Sequence, residues 1–167
     1  VIHENFSLKG FNTFGIEALA RYFAFIGSAA ELQALIASGA CRKHPPVLVL
    51  GRGSNMLFTK DFDGLVLKNG ILGIGVVRED TQHIYVKSGG GEAWNDLVNY
   101  CIEHGYAGVE NMSLIPGSVG AAPVQNIGAY GAEVRDVLDS LEAIELETGN
   151  AAVFTNDQCR FGYRESV

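Results

Sequence analysis

The chain contains no apolar run approaching the length of a membrane span, and its opening Val-Ile-His-Glu-Asn lacks a basic-then-apolar leader pattern. Basic residues are scarce. Twelve Lys and Arg stand against nineteen Asp and Glu, a formal net charge of −7. Gripping a phosphate backbone needs clustered cations, so neither nucleic acid nor a membrane is expected as a partner. Cysteine is sparse and odd in number: Cys41, Cys101 and Cys159 lie far apart and match neither a disulfide framework nor a zinc site. Reduced, buried thiols in a cytoplasmic protein are the expectation. The four histidines, His3, His44, His83 and His104, have no metal-ligand spacing, so no metal site is expected. No serine stands in a nucleophile elbow, and no Gly-Lys-Ser/Thr marks a P-loop. Charged residues are only 19% against 47% apolar, which excludes a disordered chain. At 167 residues the chain can bury a core as one domain of two small lobes, roughly 1–70 and 71–167. Beginning on Val and closing on Arg-Glu-Ser-Val, it is expected to be a fragment of a longer protein.

Against these absences stands an abundance of glycine, 21 residues, concentrated in particular runs. Ile115-Pro-Gly-Ser-Val-Gly-Ala-Ala-Pro-Val-Gln-Asn-Ile-Gly-Ala-Tyr-Gly131 holds small residues and almost no charge, unlike a solvated linker. Such backbone can approach a flat or anionic ligand closely, and φ > 0 lets successive N–H groups converge on one oxygen. Gln125 and Asn126 are amides in an apolar setting. They require partners if buried, and a flavin ring edge of alternating donors and acceptors would supply them. A packed Ω-loop is the competing account. Gly51-Arg-Gly-Ser-Asn55 follows the apolar Val47–Leu50. It is either an ordinary strand-to-turn junction or a diphosphate loop in which Ser54 and Asn55 add donors. Cys159-Arg-Phe-Gly-Tyr-Arg-Glu-Ser166 sets two arginines around an aromatic pair. Arg160 is expected to pair with a surface carboxylate and Phe161 to pack. For Arg164, surface pairing and a fork for a substrate carboxylate or oxyanion both stand.

Periodicity predicts strands over 20–27, 47–50, 64–67, 74–77 and 83–87, and a helix opened by Ser28 with Glu31 and carrying Leu32, Leu35 and Ile36. Trp94, Leu97, Val98, Cys101 and Ile102 form one helical stripe closed by Gly105, and His104 suits the helix C-terminus as a dipole partner. Val137–Leu146 and Ala151–Phe154 read as a hairpin across Thr148-Gly149-Asn150. This order suits α+β better than a doubly wound sheet.

Five segments in order, Asn12–Gly15, Leu50–Asn55, Glu110–Gly120, Gln125–Gly131 and Cys159–Ser166, resemble the UDP-N-acetylenolpyruvoylglucosamine reductase family. The resemblance implies an FAD-binding fold of the vanillyl-alcohol-oxidase or PCMH type, with FAD held between two α+β lobes. It implies that Gly51, Arg52, Gly53, Ser54 and Asn55 bind the diphosphate. Ile115, Pro116, Gly117, Ser118, Val119 and Gly120, with Gln125, Asn126, Ile127, Gly128 and Ala129, would wrap the flavin and the rest of the diphosphate. It makes Tyr130, Tyr163 and Arg164 substrate-side residues, Arg164 being the catalytic one. NADPH is implied as hydride donor and a UDP-sugar enolpyruvyl compound as substrate, in peptidoglycan synthesis, cell wall biogenesis, cell shape and cell division. The family's proton-donor serine, assisting glutamate and substrate domain are expected C-terminal to this sequence. Gly117-Ser118 is followed by Val and does not match that serine motif. A flavin module without turnover and an oxidase of the same fold are the alternatives. The second is weakened because no His or Cys sits in the glycine loops to form a covalent flavin link.

Overall fold

The computed structural model describes residues 1–167, which divide into two compact units, Val1–Ile71 with Ile144–Ala152, and Leu72–Ala143 with Val153–Val167. The first unit opens with β1 (His3–Ser7) and β2 (Leu19–Ile26), continues through α1 (Ala29–Ala37) and the short α2 (Ala40–Lys43), and ends with β3 (Val47–Leu50) and β4 (Phe62–Asn69). The strands form one sheet in the order β1-β2-β4-β3, with β1 antiparallel to β2 and the other two pairings parallel. The parallel strands β3 and β4 need a crossover, supplied here by residues 51–61 without a helix, so a loop leaves the carboxyl end of the edge strand β3 at the buried Leu50. The start of α1 is fixed reciprocally. Ser28 Oγ accepts from Glu31 N at 3.2 Å, and Glu31 Oε2 accepts from Gly27 N at 2.7 Å.

Two clusters fill this unit. Leu8, Phe23, Leu50, Phe58 and Val66 pack together, with Phe6 stacked on Phe23 at 4.0 Å between ring centroids. Ile26, Ile36, Cys41, Leu65 and Leu67 form the other, joined by Ile144 and Leu146. That contact explains why Ile144–Ala152 groups with the first unit, although the sequence assigned all of 71–167 to a second lobe. Periodicity predicts no strand before residue 20, yet β1 is one. It is an edge strand on which only Phe6 is partly buried, so it shows almost no apolar alternation.

The second unit contains the antiparallel pair β5 (Ile74–Glu79) and β6 (Ile84–Ser88), α3 (Trp94–Glu103), and the two-residue strands β7 (Gly128–Ala129) and β8 (Ala132–Glu133). A further pair, β9 (Ser140–Ile144) with β10 (Ala151–Thr155), carries the chain between the units. The expected strand began at Val137. The 3-10 turn Val134–Asp136, capped reciprocally by Glu133 and Asp136, delays it. The core joins Trp94 and Val98 of α3 to Met112, Ala122 and Val134, and Trp94 Nε1 donates to Met112 O at 2.9 Å. Ile102, assigned to the buried stripe, is 51% exposed, since α3 buries only Trp94, Val98 and Cys101. All three cysteines are buried and unpaired, and burial raises each thiol pKa. No helix is long and apolar enough to cross a membrane.

Candidate cofactor site

In the first unit the crossover after β3 begins with Gly51–Asn55. Gly53 is buried with φ +66°, and a Cβ there would lie 2.0 Å from Phe11 O and 2.9 Å from Asn12 Cα. Only glycine fits both the conformation and the space. Gly53 O accepts from Thr13 N at 3.3 Å, while no backbone carbonyl takes the N–H groups of Arg52, Gly53 or Ser54. Beside this turn, Lys68 of β4 is half-buried. Its pKa is lowered first by burial and second by repulsion from Arg52. Lys68 Nζ donates to Asn69 O at 2.7 Å and forms no ion pair. Two cations without a carboxylate thus make a local positive field in a chain whose net charge is −7. The sequence reading missed Lys68, because a lone lysine in an apolar strand carries no pattern.

In the second unit the 115–131 run lies mostly in short turns. Its first part is zipped to residues 90–94: Gly120 N donates to Gly90 O at 2.9 Å, Val119 N to Glu92 O at 2.9 Å, and Trp94 N to Gly117 O at 3.0 Å. The main-chain donors of Val119 and Gly120, which the sequence reading reserved for a ligand, are therefore satisfied by protein. Glycine at 120 is what permits so close an approach, since a Cβ there would lie 2.9 Å from Gly90 O and 3.0 Å from Gly90 Cα. Between these contacts Ser118 is 2% exposed, and its Oγ has no hydrogen-bond partner. A buried hydroxyl without a partner costs about 1–3 kcal/mol, so this atom is suited to an external acceptor or donor.

Asn126 departs from the expected arrangement. It is fully buried with φ +42°, and its amide is satisfied within the protein. Nδ2 donates to Glu133 Oε2 at 3.1 Å and to Gly162 O at 2.9 Å, and Oδ1 accepts from Arg135 N at 3.1 Å. No ring edge is needed to satisfy this side chain. Gln125 beside it is exposed. Gly128 lies so close to β8 that a Cβ would meet Ala132 O at 2.4 Å and Glu133 Cγ at 2.8 Å. Ile115 and Ile127 pack against the core of this unit, Pro116 is exposed, and Ala129 is half-buried.

The turn joining β7 to β8 has Tyr130 at φ +50° and Gly131 at φ +84°, both central residues left-handed as a type I′ hairpin requires. A tyrosine in that conformation is strained, and its ring is 90% exposed. A second tight turn, closed by Gly162 N to Glu165 O at 2.9 Å, presents Tyr163 and Arg164, with Arg164 at φ +56°. Arg164 Nη1 donates to Asn126 O at 3.0 Å and Nη2 to Gly128 O at 2.7 Å. It has no carboxylate partner, contrary to a surface ion pair, so its charge is oriented but not neutralised. Arg160, expected to pair with a carboxylate, forms no ion pair. It ends the 3-10 turn Asp157–Cys159 in a left-handed conformation, and Phe161 packs against the core as expected.

A family model described as an FAD binding domain matches residues 20–154. The chain belongs to the FAD binding domain family. It is 50% identical over 99% of its length to UDP-N-acetylenolpyruvoylglucosamine reductase of Amoebophilus asiaticus, covering 49% of that protein. It is 54% identical over 95% of its length to the reductase of the same name from Burkholderia ambifaria, covering 45% of it. The chain spans about half the length of these curated relatives. Among solved structures it is similar to the UDP-N-acetylenolpyruvylglucosamine reductase of Thermus caldophilus, with TM-score 0.74 and 25% identity, over 99% of this chain and 57% of that one. The fold is shared with 6-hydroxy-D-nicotine oxidase from Arthrobacter nicotinovorans, at TM-score 0.64 and 23% identity over 83% of this chain and 31% of that one. The architecture is thus α+β of the flavin-binding type that the motifs implied.

Proposed function

We propose that this chain is the FAD-holding portion of a cytoplasmic, NADPH-dependent UDP-N-acetylenolpyruvoylglucosamine reductase, which makes UDP-N-acetylmuramate for peptidoglycan synthesis. Identity of about half over nearly the whole chain to reductases of that name carries the reading. The residues fit the group: an unpartnered buried hydroxyl at Ser118, unclaimed N–H groups at Arg52, Gly53 and Ser54, and an unneutralised cation pair at Arg52 and Lys68 suit a ligand with diphosphate and ring heteroatoms. When bound, FAD would accept a hydride from NADPH and deliver it to the enolpyruvyl group.

In this reading the Gly51–Asn55 turn donates N–H groups to the diphosphate, and Arg52 and Lys68 lower the cost of holding its charge. Ile115–Gly120 and Gln125–Ala129 surround the flavin, Ser118 through its hydroxyl. Asn126 serves the site indirectly, through the backbone that it ties down. Arg164, fixed by Asn126 O and Gly128 O, offers its remaining N–H groups to the carboxylate of the enolpyruvyl substrate and to the negative charge that develops there. Tyr130 and Tyr163, both exposed on tight turns, flank the substrate. The deciding experiment is an absorption spectrum of the purified chain. A flavin band that bleaches on titration with NADPH supports the reading, and a colourless chain that gains no band with added FAD refutes it.

A further inference from the structure

The segment before β2 bears on the Gly51–Asn55 turn, although composition gave it no role. Asn12 is only 7% exposed, and its side chain ties a loop shut. Nδ2 donates to Leu8 O at 2.8 Å and to Ile16 O at 3.0 Å, while Oδ1 accepts from Ile16 N at 3.0 Å. Leu8, whose carbonyl takes one of these bonds, is fully buried in the core, and Phe11 packs against that same core. The loop is therefore a fixed shelf, and its surface at Phe11 O and Asn12 Cα is what a Cβ on Gly53 would strike. One hydrogen bond, Thr13 N to Gly53 O at 3.3 Å, joins shelf to turn.

We propose that Asn12 is a positioning residue for a dinucleotide diphosphate: by locking the Leu8–Ile16 shelf, it sets the height and the left-handed conformation of Gly53, and so the direction of the Arg52, Gly53 and Ser54 N–H groups. The proposal rests on reading Gly51–Asn55 as the diphosphate turn. With three bonds to protein, the buried amide is satisfied and rigidifies the loop around it.

Two variants test it in this chain. Asn12→Asp keeps the size but replaces the doubly donating Nδ2 with one oxygen facing the Leu8 and Ile16 carbonyls. Thr13→Pro removes only the bond to Gly53. Gly15 N bonds Asn12 O at 3.1 Å, which puts Thr13 at the second position of a β-turn where proline is favoured, and Asn12 at ψ 141° suits a following proline. The readouts are melting temperature, FAD affinity by quenching of flavin fluorescence, and the amide resonances of residues 52–54 without ligand. Thr13→Pro is expected to melt no lower than the parent yet to bind FAD about three- to tenfold more weakly, with those resonances shifted. Asn12→Asp should lose at least about tenfold. Unshifted resonances in Thr13→Pro, or undiminished FAD affinity in it, overturn the proposal, even if Asn12→Asp fails to fold. A parent chain that binds no FAD sinks instead the diphosphate reading.

Discussion

Asn126 and Arg164 hold one another in place: Arg164 Nη1 donates to Asn126 O at 3.0 Å, and Asn126 Nδ2 donates to Gly162 O, at the base of the turn that carries Arg164. The buried amide thus binds both sides of the guanidinium's seat. Arginine's planar fork meets two carbonyls, at Asn126 and Gly128, and keeps N–H groups for an incoming anion, whereas a lysine ammonium cannot span both carbonyls in a fixed plane. If the proposed reductase reading holds, Arg164→Lys should slow the step with the enolpyruvyl substrate by about a hundredfold and leave reduction by NADPH unchanged, as single-turnover kinetics would measure. An equal loss in both steps would assign Arg164 a purely structural role.

Removing the amide removes the seat. Asn126→Ala leaves Gly162 O and Arg135 N without their partners and Glu133 short of one donor, and empties the fully buried position that the amide fills. A loss of about 3 kcal/mol is expected in urea unfolding of the chain, because unsatisfied buried groups cost more than the bonds themselves return. A change under about 0.5 kcal/mol, the scale of an ordinary surface substitution, would contradict this account.

Gly53 and Gly128 illustrate why glycine substitutions need choosing with care. A Cβ at Gly128 would collide with the β8 backbone at Ala132 O, so bulky replacements there report on folding rather than on ligand contact. At Gly53 the collision is with the shelf at Phe11 O, on the turn assigned to the diphosphate. Gly53→Ala is expected to destabilise the ligand-free chain by about 1–3 kcal/mol and to abolish FAD retention on a desalting column. Full retention would remove Gly51–Asn55 from the site.

Much of this was legible in the residues. The Ser28–Glu31 cap, the Val47–Leu50 strand and the Trp94 helix follow from spacing alone, and all three are where the pattern puts them. The five motif segments identified the flavin fold. What stayed hidden was which partner each polar group would choose. Asn126 in a run of small residues looks like a ligand contact, but Glu133, Gly162 and Arg135, distant in sequence, satisfy it. The N–H groups of Val119 and Gly120 look available in the sequence, but the carbonyls of Glu92 and Gly90, more than twenty-five residues upstream, take them. Long-range pairing has no local signature, and a polar edge strand such as β1 leaves hardly any.

Asp80 gives a pH dependence separate from the site. Its carboxylate accepts from Gln82 N and His83 N, both at 2.8 Å, and from Tyr85 Oη at 2.9 Å, closing the turn between β5 and β6. These bonds, the backbone pair first, pull its pKa down from 3.8 to about 2. A depressed folded-state value means the contribution is complete above the unfolded value and disappears as pH falls through about 2. Asp80→Ala should therefore lower unfolding stability near neutral pH and make little difference below pH of about 2. A penalty that persists undiminished in acid would show that the side chain acts by something other than its charge.

Ser118 separates the demands of the empty fold from those of a ligand. Its hydroxyl is buried and unpartnered, so Ser118→Ala relieves the ligand-free chain of an unsatisfied group at almost no cost in volume. The ligand-free variant should unfold at the same urea concentration as the parent or a higher one, with a gain of up to about 1 kcal/mol. If FAD supplies the missing partner, the same variant binds it about five- to tenfold more weakly, since one hydrogen bond of about 1–1.4 kcal/mol is lost. The two effects have opposite signs, and no packing role for a serine produces both. A variant that loses stability without FAD, or keeps its full affinity for FAD, would place the hydroxyl outside the flavin site.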